Sequence, residues 1–169
     1  MIIGTDANAD RLGEISRRAS RKAARGGLPN VLFGRLSLDD APAELVQLAD
    51  AITVLFPWGA LLQAVAVPER EALHRLARIG KPGARVRFLY GYGIGREAAA
   101  VEELGLPALG GSSILRALER AYADAGLQIE GRYVSCEEIA LLQTTWAKKI
   151  AFSNAVRLFV ELSGRVRPS

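Results

Sequence analysis

Hydrophobic and polar positions follow two rhythms along this chain: short β-branched or apolar runs, and longer stretches with apolar residues at helical spacing. Their alternation predicts an α/β fold on a mostly parallel sheet. Residues 2–5 form a first short strand. Asp6-Ala7-Asn8 then turns into a helix that Asp6 or Asn8 caps. Leu12, Ile15, Ala19 and Ala23 share one stripe of this helix, with Arg11, Arg18, Arg21, Lys22 and Arg25 outside it. Gly26-Gly27 before Pro29 ends it. A strand over 31–36 and a short amphipathic turn or helix over 42–48 follow. The strand over 52–56 is wholly apolar, as strands buried on both faces are, and ends at Pro57.

The second half repeats the alternation with a helix over 69–79, a Lys81-Pro82-Gly83 turn, a strand over 86–90 and a helix over 96–104. After a glycine-rich connector, a helix over 114–125 closes at Gly126 and leads to a strand over 127–134. Residues 137–151 are expected to be helical in part. A last strand over 156–162 is expected to return antiparallel. No repeat or linker divides the chain, so residues 1–169 read as a single domain.

Composition narrows the class. The 169 residues are 50% hydrophobic and 24% charged, which suits one globular domain with a core. A formal charge of +4 and a pI near 9.6 favour a polyanionic partner. Cys136 is the single cysteine, which excludes an intrachain disulfide framework and a cysteine-based zinc site. The sequence shows no signal-peptide pattern and no membrane-length apolar run, so a cytoplasmic protein without membrane attachment is expected. His74, among Leu73, Leu76 and Ala77, reads as structural. Glu102-Glu103 and Glu137-Glu138 diverge around their helices and read as solvated faces, leaving no metal site.

The chemistry concentrates around two tryptophans, in Phe56-Pro57-Trp58-Gly59 and in Thr144-Thr145-Trp146-Ala147-Lys148-Lys149. A base drawn out of a duplex can stack between two indole faces while neighbouring lysines hold its backbone. The competing reading is two core tryptophans. The lysine pair after Trp146 weighs against it, because lysine is rarely buried without a partner.

These two runs, with Gly4-Thr5-Asp6-Ala7-Asn8-Ala9 and the basic helix leading to Gly27-Leu28-Pro29-Asn30, resemble the 16S rRNA (adenine-1408) N1-methyltransferases, which confer aminoglycoside resistance. The resemblance implies a class I (Rossmann-like) methyltransferase sheet, mostly parallel with an antiparallel C-terminal strand. It further implies S-adenosylmethionine as cofactor and the 16S rRNA of the small ribosomal subunit as partner, met by a monomer. Asp6 matches the acid that binds the cofactor ribose hydroxyls, for which a carboxylate's two acceptors are suited; as a bare sequence feature it also reads as a helix cap. Asp39 falls near the expected adenine site, or is a loop cap. Phe56 is grouped with the cofactor-binding residues, and Pro57 matches the residue whose main chain lines the pocket. Trp58 and Trp146 match the pair that sandwiches the flipped adenine. Thr144 stands where the family commonly has a serine near the reacting centre. Arg17, Arg18, Arg21, Lys22 and Lys148, with neighbouring Arg25 and Lys149, fall where rRNA phosphates bind. Adenine N1 carries an in-plane lone pair that can attack the sulfonium methyl, so no general base is needed.

One departure from the family stands out. There a strand, a glycine-rich loop and a helix precede the segment that begins here at Met1, and they hold the methionine end of the cofactor. The expectation is a domain incomplete at its N-terminus. In it the 2–5 and 52–56 strands either meet directly or leave a gap of about two strand spacings, near 10 Å. Gly91-Tyr92-Gly93-Ile94-Gly95 imitates a nucleotide loop only weakly and reads better as a connector. Were it the true loop, the protein would be another nucleotide-binding enzyme. The alternatives to a methyltransferase of rRNA are a non-catalytic rRNA-binding remnant and a small-molecule class I methyltransferase.

Overall fold

The computed structural model describes residues 1–93, 97–142, 147 and 157–168, Arg11 by its backbone alone. The described chain is α/β and divides into two compact units, residues 1–42 and 43–169.

In the first unit β1 (Ile2–Asp6) pairs in parallel with β2 (Val31–Arg35), from Ile2 against Val31 to Asp6 against Arg35. Between them runs α1 (Ala9–Ala19). Asn8 is its cap, accepting the Asp10 N–H through its side chain at 2.9 Å. The expected helix through Arg25 stops six residues earlier. At Ser20 both the N–H and Oγ donate to the Ser16 carbonyl, each at 2.9 Å. The Leu28 N–H then takes the Ala19 carbonyl at 2.8 Å, folding 20–27 back onto the helix end. Ala23 therefore leaves the stripe and sits in a separate 3₁₀ turn, Ala23–Arg25. Of the four stripe residues only Ala19 is buried, and Ile2, Ile3, Ile15 and Leu32 are all exposed.

The second unit holds a four-stranded sheet in the order β3-β4-β6-β5, built from β3 (Ala49–Leu55), β4 (Gly80–Tyr92), β5 (Leu127–Val134) and β6 (Leu158–Val166). β3 and β4 are parallel, and β6 runs antiparallel to both β4 and β5. The first strands of the two units, β1 and β3, thus belong to different sheets. α3 (Arg70–Ile79) packs on β3, β4 and α2 (Ala60–Ala66), while α5 (Ser112–Asp124) packs on β5. Phe88 meets Tyr122 edge to face with centroids 5.2 Å apart, and the Tyr122 hydroxyl donates to the Val65 carbonyl at 3.0 Å. α4 (Ala98–Glu103) and α6 (Cys136–Ala140) are short.

Three features of the second unit differ from the expected pattern. Lys81-Pro82-Gly83 is not a turn between elements but an irregularity inside β4: Gly80 opposes Ala49, yet the next pairing is Arg85 with Ala51. Pro82 has no N–H to give the ladder, and the extra residues are extruded there. β3 is not buried on both faces; Ile52 and Val54 are half-buried and Leu55 is exposed, because β3 is an edge strand among the described residues. Gly91 and Tyr92 belong to β4 rather than a connector. A Cβ at Gly91 would lie 2.3 Å from the Phe159 ring, so glycine is needed there for close strand packing. The helix α2 was missed altogether, since Ala60–Ala66 is almost continuously apolar and shows no period.

Candidate active site

The turn after β3 is built around Phe56. Its N–H donates to the Leu89 carbonyl at 2.7 Å, carrying the β3–β4 ladder one step further. Its backbone is left-handed at φ +49°, a conformation that costs a non-glycine residue about 1–3 kcal/mol. Burial of the ring offsets that cost. Phe56 packs against a cluster of Leu89, Val134, Ile139, Ala147 and Phe159, with Leu142 beside it. Gly59 (φ +61°, ψ −138°) then turns the chain into α2, in a region that side chains avoid. With Phe56 anchored inward and Gly59 reversing the chain, Trp58 is left 51% exposed. It is therefore not a core tryptophan.

Ala147, from the second tryptophan run, is fully buried in the same cluster. The packing that seats the first motif therefore also seats a residue of the second. Thr144, Trp146, Lys148 and Lys149 lie outside the described residues.

In the first unit, Asp6 ends β1, and its Oδ1 accepts the Asn8 N–H at 2.8 Å. Asn8, not Asp6, caps the helix, so the Asp6 carboxylate closes the turn that precedes it. Asp39 is exposed in a 3₁₀ turn, Leu38–Asp40, where the cap is Ser37. A cleft of about 330 Å³ opens at this end of the two strands, lined by Ala7, Arg35, Leu36, Ser37, Asp40 and Pro42. The carboxyl ends of parallel strands are where α/β sheets bind ligands.

Arg17, Arg18, Arg21, Lys22 and Arg25 are all exposed, along α1 and the loop that doubles back from it. His74 is on the exposed side of α3, in a shallow cleft with Arg70, Glu71 and Asp124, rather than among the leucines. Among the described residues no cluster of His, Cys, Asp and Glu could hold a metal ion, and no helix is long and apolar enough to cross a membrane.

Two charged groupings escaped the sequence reading. Arg157 pairs with Glu97, both mostly buried, and Glu97 also accepts the Gly93 N–H at 3.1 Å. Glu161, buried on β6, is held by Arg87 and Arg132. Both partnerships join residues distant in sequence, which no local pattern reveals.

The model of the NpmA family, 16S rRNA (adenine(1408)-N(1))-methyltransferase, matches residues 1–164. A 16S rRNA (adenine(1408)-N(1))-methyltransferase of Escherichia coli is 34% identical over 166 residues, covering 97% of this chain and 75% of that protein. A namesake from Streptoalloteichus hindustanus is 31% identical, over 99% of this chain and 77% of its own length. The crystal structure of the 16S rRNA methyltransferase KamB superposes with a TM-score of 0.84 at 30% identity, covering 99% of this chain and 77% of that one. A tryptophan-to-alanine variant of the Catenulisporales acidiphilia 16S rRNA (adenine(1408)-N(1))-methyltransferase, solved with cosubstrate SAM, gives 0.83 at 30% identity, over 98% and 75%. Taken with the site geometry, these likenesses show that the chain belongs to the 16S rRNA (adenine(1408)-N(1))-methyltransferase family.

Proposed function

We propose that this chain carries out the reaction of its family, S-adenosylmethionine-dependent methylation of adenine N1 in the decoding site of 16S rRNA, and so confers aminoglycoside resistance. In this reading both units serve one class I (Rossmann-like) methyltransferase domain. It acts as a cytoplasmic monomer on the assembled small subunit and needs no metal.

The observation that carries the reading is the exposure of Trp58 beside an anchored Phe56. An indole held half in solvent by a strained turn is stable enough to keep and open enough to stack a base. Trp146 provides the second face, and Thr144 and the main chain of Pro57 line the reacting centre. The residues of the first unit fit the nucleoside end of the cofactor. The Asp6 carboxylate, already oriented by one N–H, suits paired ribose hydroxyls, and the polar cleft beside it, with Asp39 near its rim, suits an adenine. S-adenosylmethionine, when bound, supplies an electrophilic methyl group. The chain's own work is to hold the base in line, exclude water with the two indoles and face the growing positive charge with their π surfaces. Arg17, Arg18, Arg21, Lys22, Arg25, Lys148 and Lys149 hold rRNA phosphates.

Purified small subunits incubated with the chain and methyl-labelled S-adenosylmethionine test the proposal. The expected result is label in 16S rRNA and a reverse-transcription stop at a single adenine. Subunit binding without label would identify a non-catalytic remnant. Label only in small molecules would point to a different substrate.

A further inference from the structure

The sheet face that carries the Phe56 pocket changes character two residues along. Where Phe159 opposes Val134 the face is apolar, and where Glu161 opposes Arg132 it is charged. Glu161 is 7% exposed. Its Oε1 accepts from Arg87 Nε at 2.6 Å, and its Oε2 accepts from Arg132 Nε at 2.7 Å. Arg132 also donates from Nη1 to Glu138 Oε1 at 2.6 Å. Glu138 in turn completes the capping box of α6: its Oε2 accepts the Ser135 N–H at 3.0 Å, and its own N–H donates to Ser135 Oγ at 3.2 Å. One chain of charges thus runs from β4 through β6 and β5 into the first turn of α6.

A helix of five residues cannot hold itself, because nucleation is unfavourable and little propagation follows. α6 depends on its capping box, on Arg132 and on Ile139, which is fully buried in the cluster that seats Phe56 and Ala147. Only Glu161 is buried; its arginine partners and Glu138 are about half-exposed, where ion pairs add little net stability. What the network does provide is a defined geometry, since the guanidinium fork accepts only certain placements of two carboxylates.

We propose that Arg132, clasped between Glu161 and Glu138, is a positioning residue for methyl transfer. It fixes α6 against the cluster and thereby sets how the Phe56 turn presents Trp58. The proposal rests on the function proposed above, in which Trp58 stacks the target base.

The test uses the whole chain with Arg132→Met and Arg132→Lys. Lys81→Met serves as the control, because it breaks the Lys81–Asp50 pair of 2.6 Å at the far end of β4. Steady-state methylation of small subunits is measured per folded molecule. Acrylamide quenching of Trp58 is measured in a Trp146→Phe background. Arg132→Met is expected to lower kcat about tenfold or more, with KM for subunits and for S-adenosylmethionine within about threefold, and to change the quenching of Trp58. Arg132→Lys should recover part of both, since it keeps the charge without the fork, and Lys81→Met should match the parent. Unchanged kcat per folded molecule together with unchanged quenching in Arg132→Met would overturn the proposal. Should that variant not fold, Glu138→Gln is read in the same way, because the amide oxygen keeps the capping bond while the ion pair is lost. A parent chain that transfers no methyl defeats the functional reading instead, and the quenching comparison then decides only whether Arg132 sets the exposure of Trp58.

Discussion

Phe56 meets Phe159 edge to face, with ring centroids 6.4 Å apart and planes at 86°. This contact joins the turn after β3 to the antiparallel strand β6, skipping the intervening β4 by reaching over Gly91, the glycine that faces Phe159. The pair explains why a phenylalanine accepts a left-handed backbone next to a proline. The ring is held by a strand two places along the sheet, and the indole two residues on is free to project. Trp58 owes its exposure to an anchor two positions earlier.

That division of labour predicts opposite behaviour for neighbouring residues. Trp58→Ala should change stability by less than about 1 kcal/mol, because the indole is half in solvent, yet nearly abolish methylation, since a lost base stack costs about 1–3 kcal/mol. Phe56→Ala should cost about 2–3 kcal/mol of stability, below the full-burial range because the ring is only partly buried. Melting temperature measured beside activity separates them. A Trp58→Ala variant that melts as early as Phe56→Ala would show that the indole is structural.

Much of the fold was legible because strand and helix periods are local. β5 was expected over its observed span, and α3 and α5 to within two residues at each end. Failures occurred where a distant partner decides. The end of α1 depends on Leu28 returning to Ala19, and the irregularity in β4 depends on the register with Ala49 and Ala51. In the candidate site, the Phe56-Pro57-Trp58-Gly59 run was conspicuous by composition. The inward role of Phe56 and the link from Arg132 to Glu161 were not, because each depends on residues 29 or more positions away.

Asp6 offers a cleaner discrimination, because asparagine keeps its turn and removes its charge. The side-chain carbonyl of Asn at this position can still accept the Asn8 N–H, so Asp6→Asn should melt like the parent. If the carboxylate holds ribose hydroxyls, the same variant should bind S-adenosylmethionine about tenfold or more weakly, the loss of a charge-assisted hydrogen bond. Calorimetry on both proteins measures this. Equal affinities would reduce Asp6 to a turn residue.

The tyrosines predict an alkaline limit to stability. Burial first, and neighbouring tyrosines second, hold Tyr90, Tyr92 and Tyr122 well above the ordinary value of 10.0. A raised folded value means that the native state keeps protons which the unfolded chain releases. The stabilisation is therefore complete below pH 10 and is lost as pH rises from about 10 toward the folded values. Melting temperature should be insensitive to these groups at neutral pH and fall steeply above about pH 10. Tyr90→Phe should make the fall shallower at little cost, since the Tyr90 hydroxyl has no partner among the described residues. Tyr122→Phe should lose about 0.5–1.5 kcal/mol at neutral pH with its bond to Val65. A melting temperature independent of pH up to about 11 would contradict the burial of these rings.

The basic residues of the first unit predict a salt dependence. Arg18, Lys22 and Arg25 are exposed and off the buried Ala19 position, so replacing all three with alanine should leave the fold intact. If they meet rRNA phosphates, binding to small subunits should weaken at every salt concentration. The slope of log affinity against log salt should also become shallower by about one unit per lost contact, because fewer counterions are released. Lys22 and Arg25 sit in the loop that doubles back from α1 rather than on its face, so their contribution depends on the Leu28–Ala19 bond holding that loop. An unchanged slope in the triple alanine variant would mean that these cations serve solubility alone.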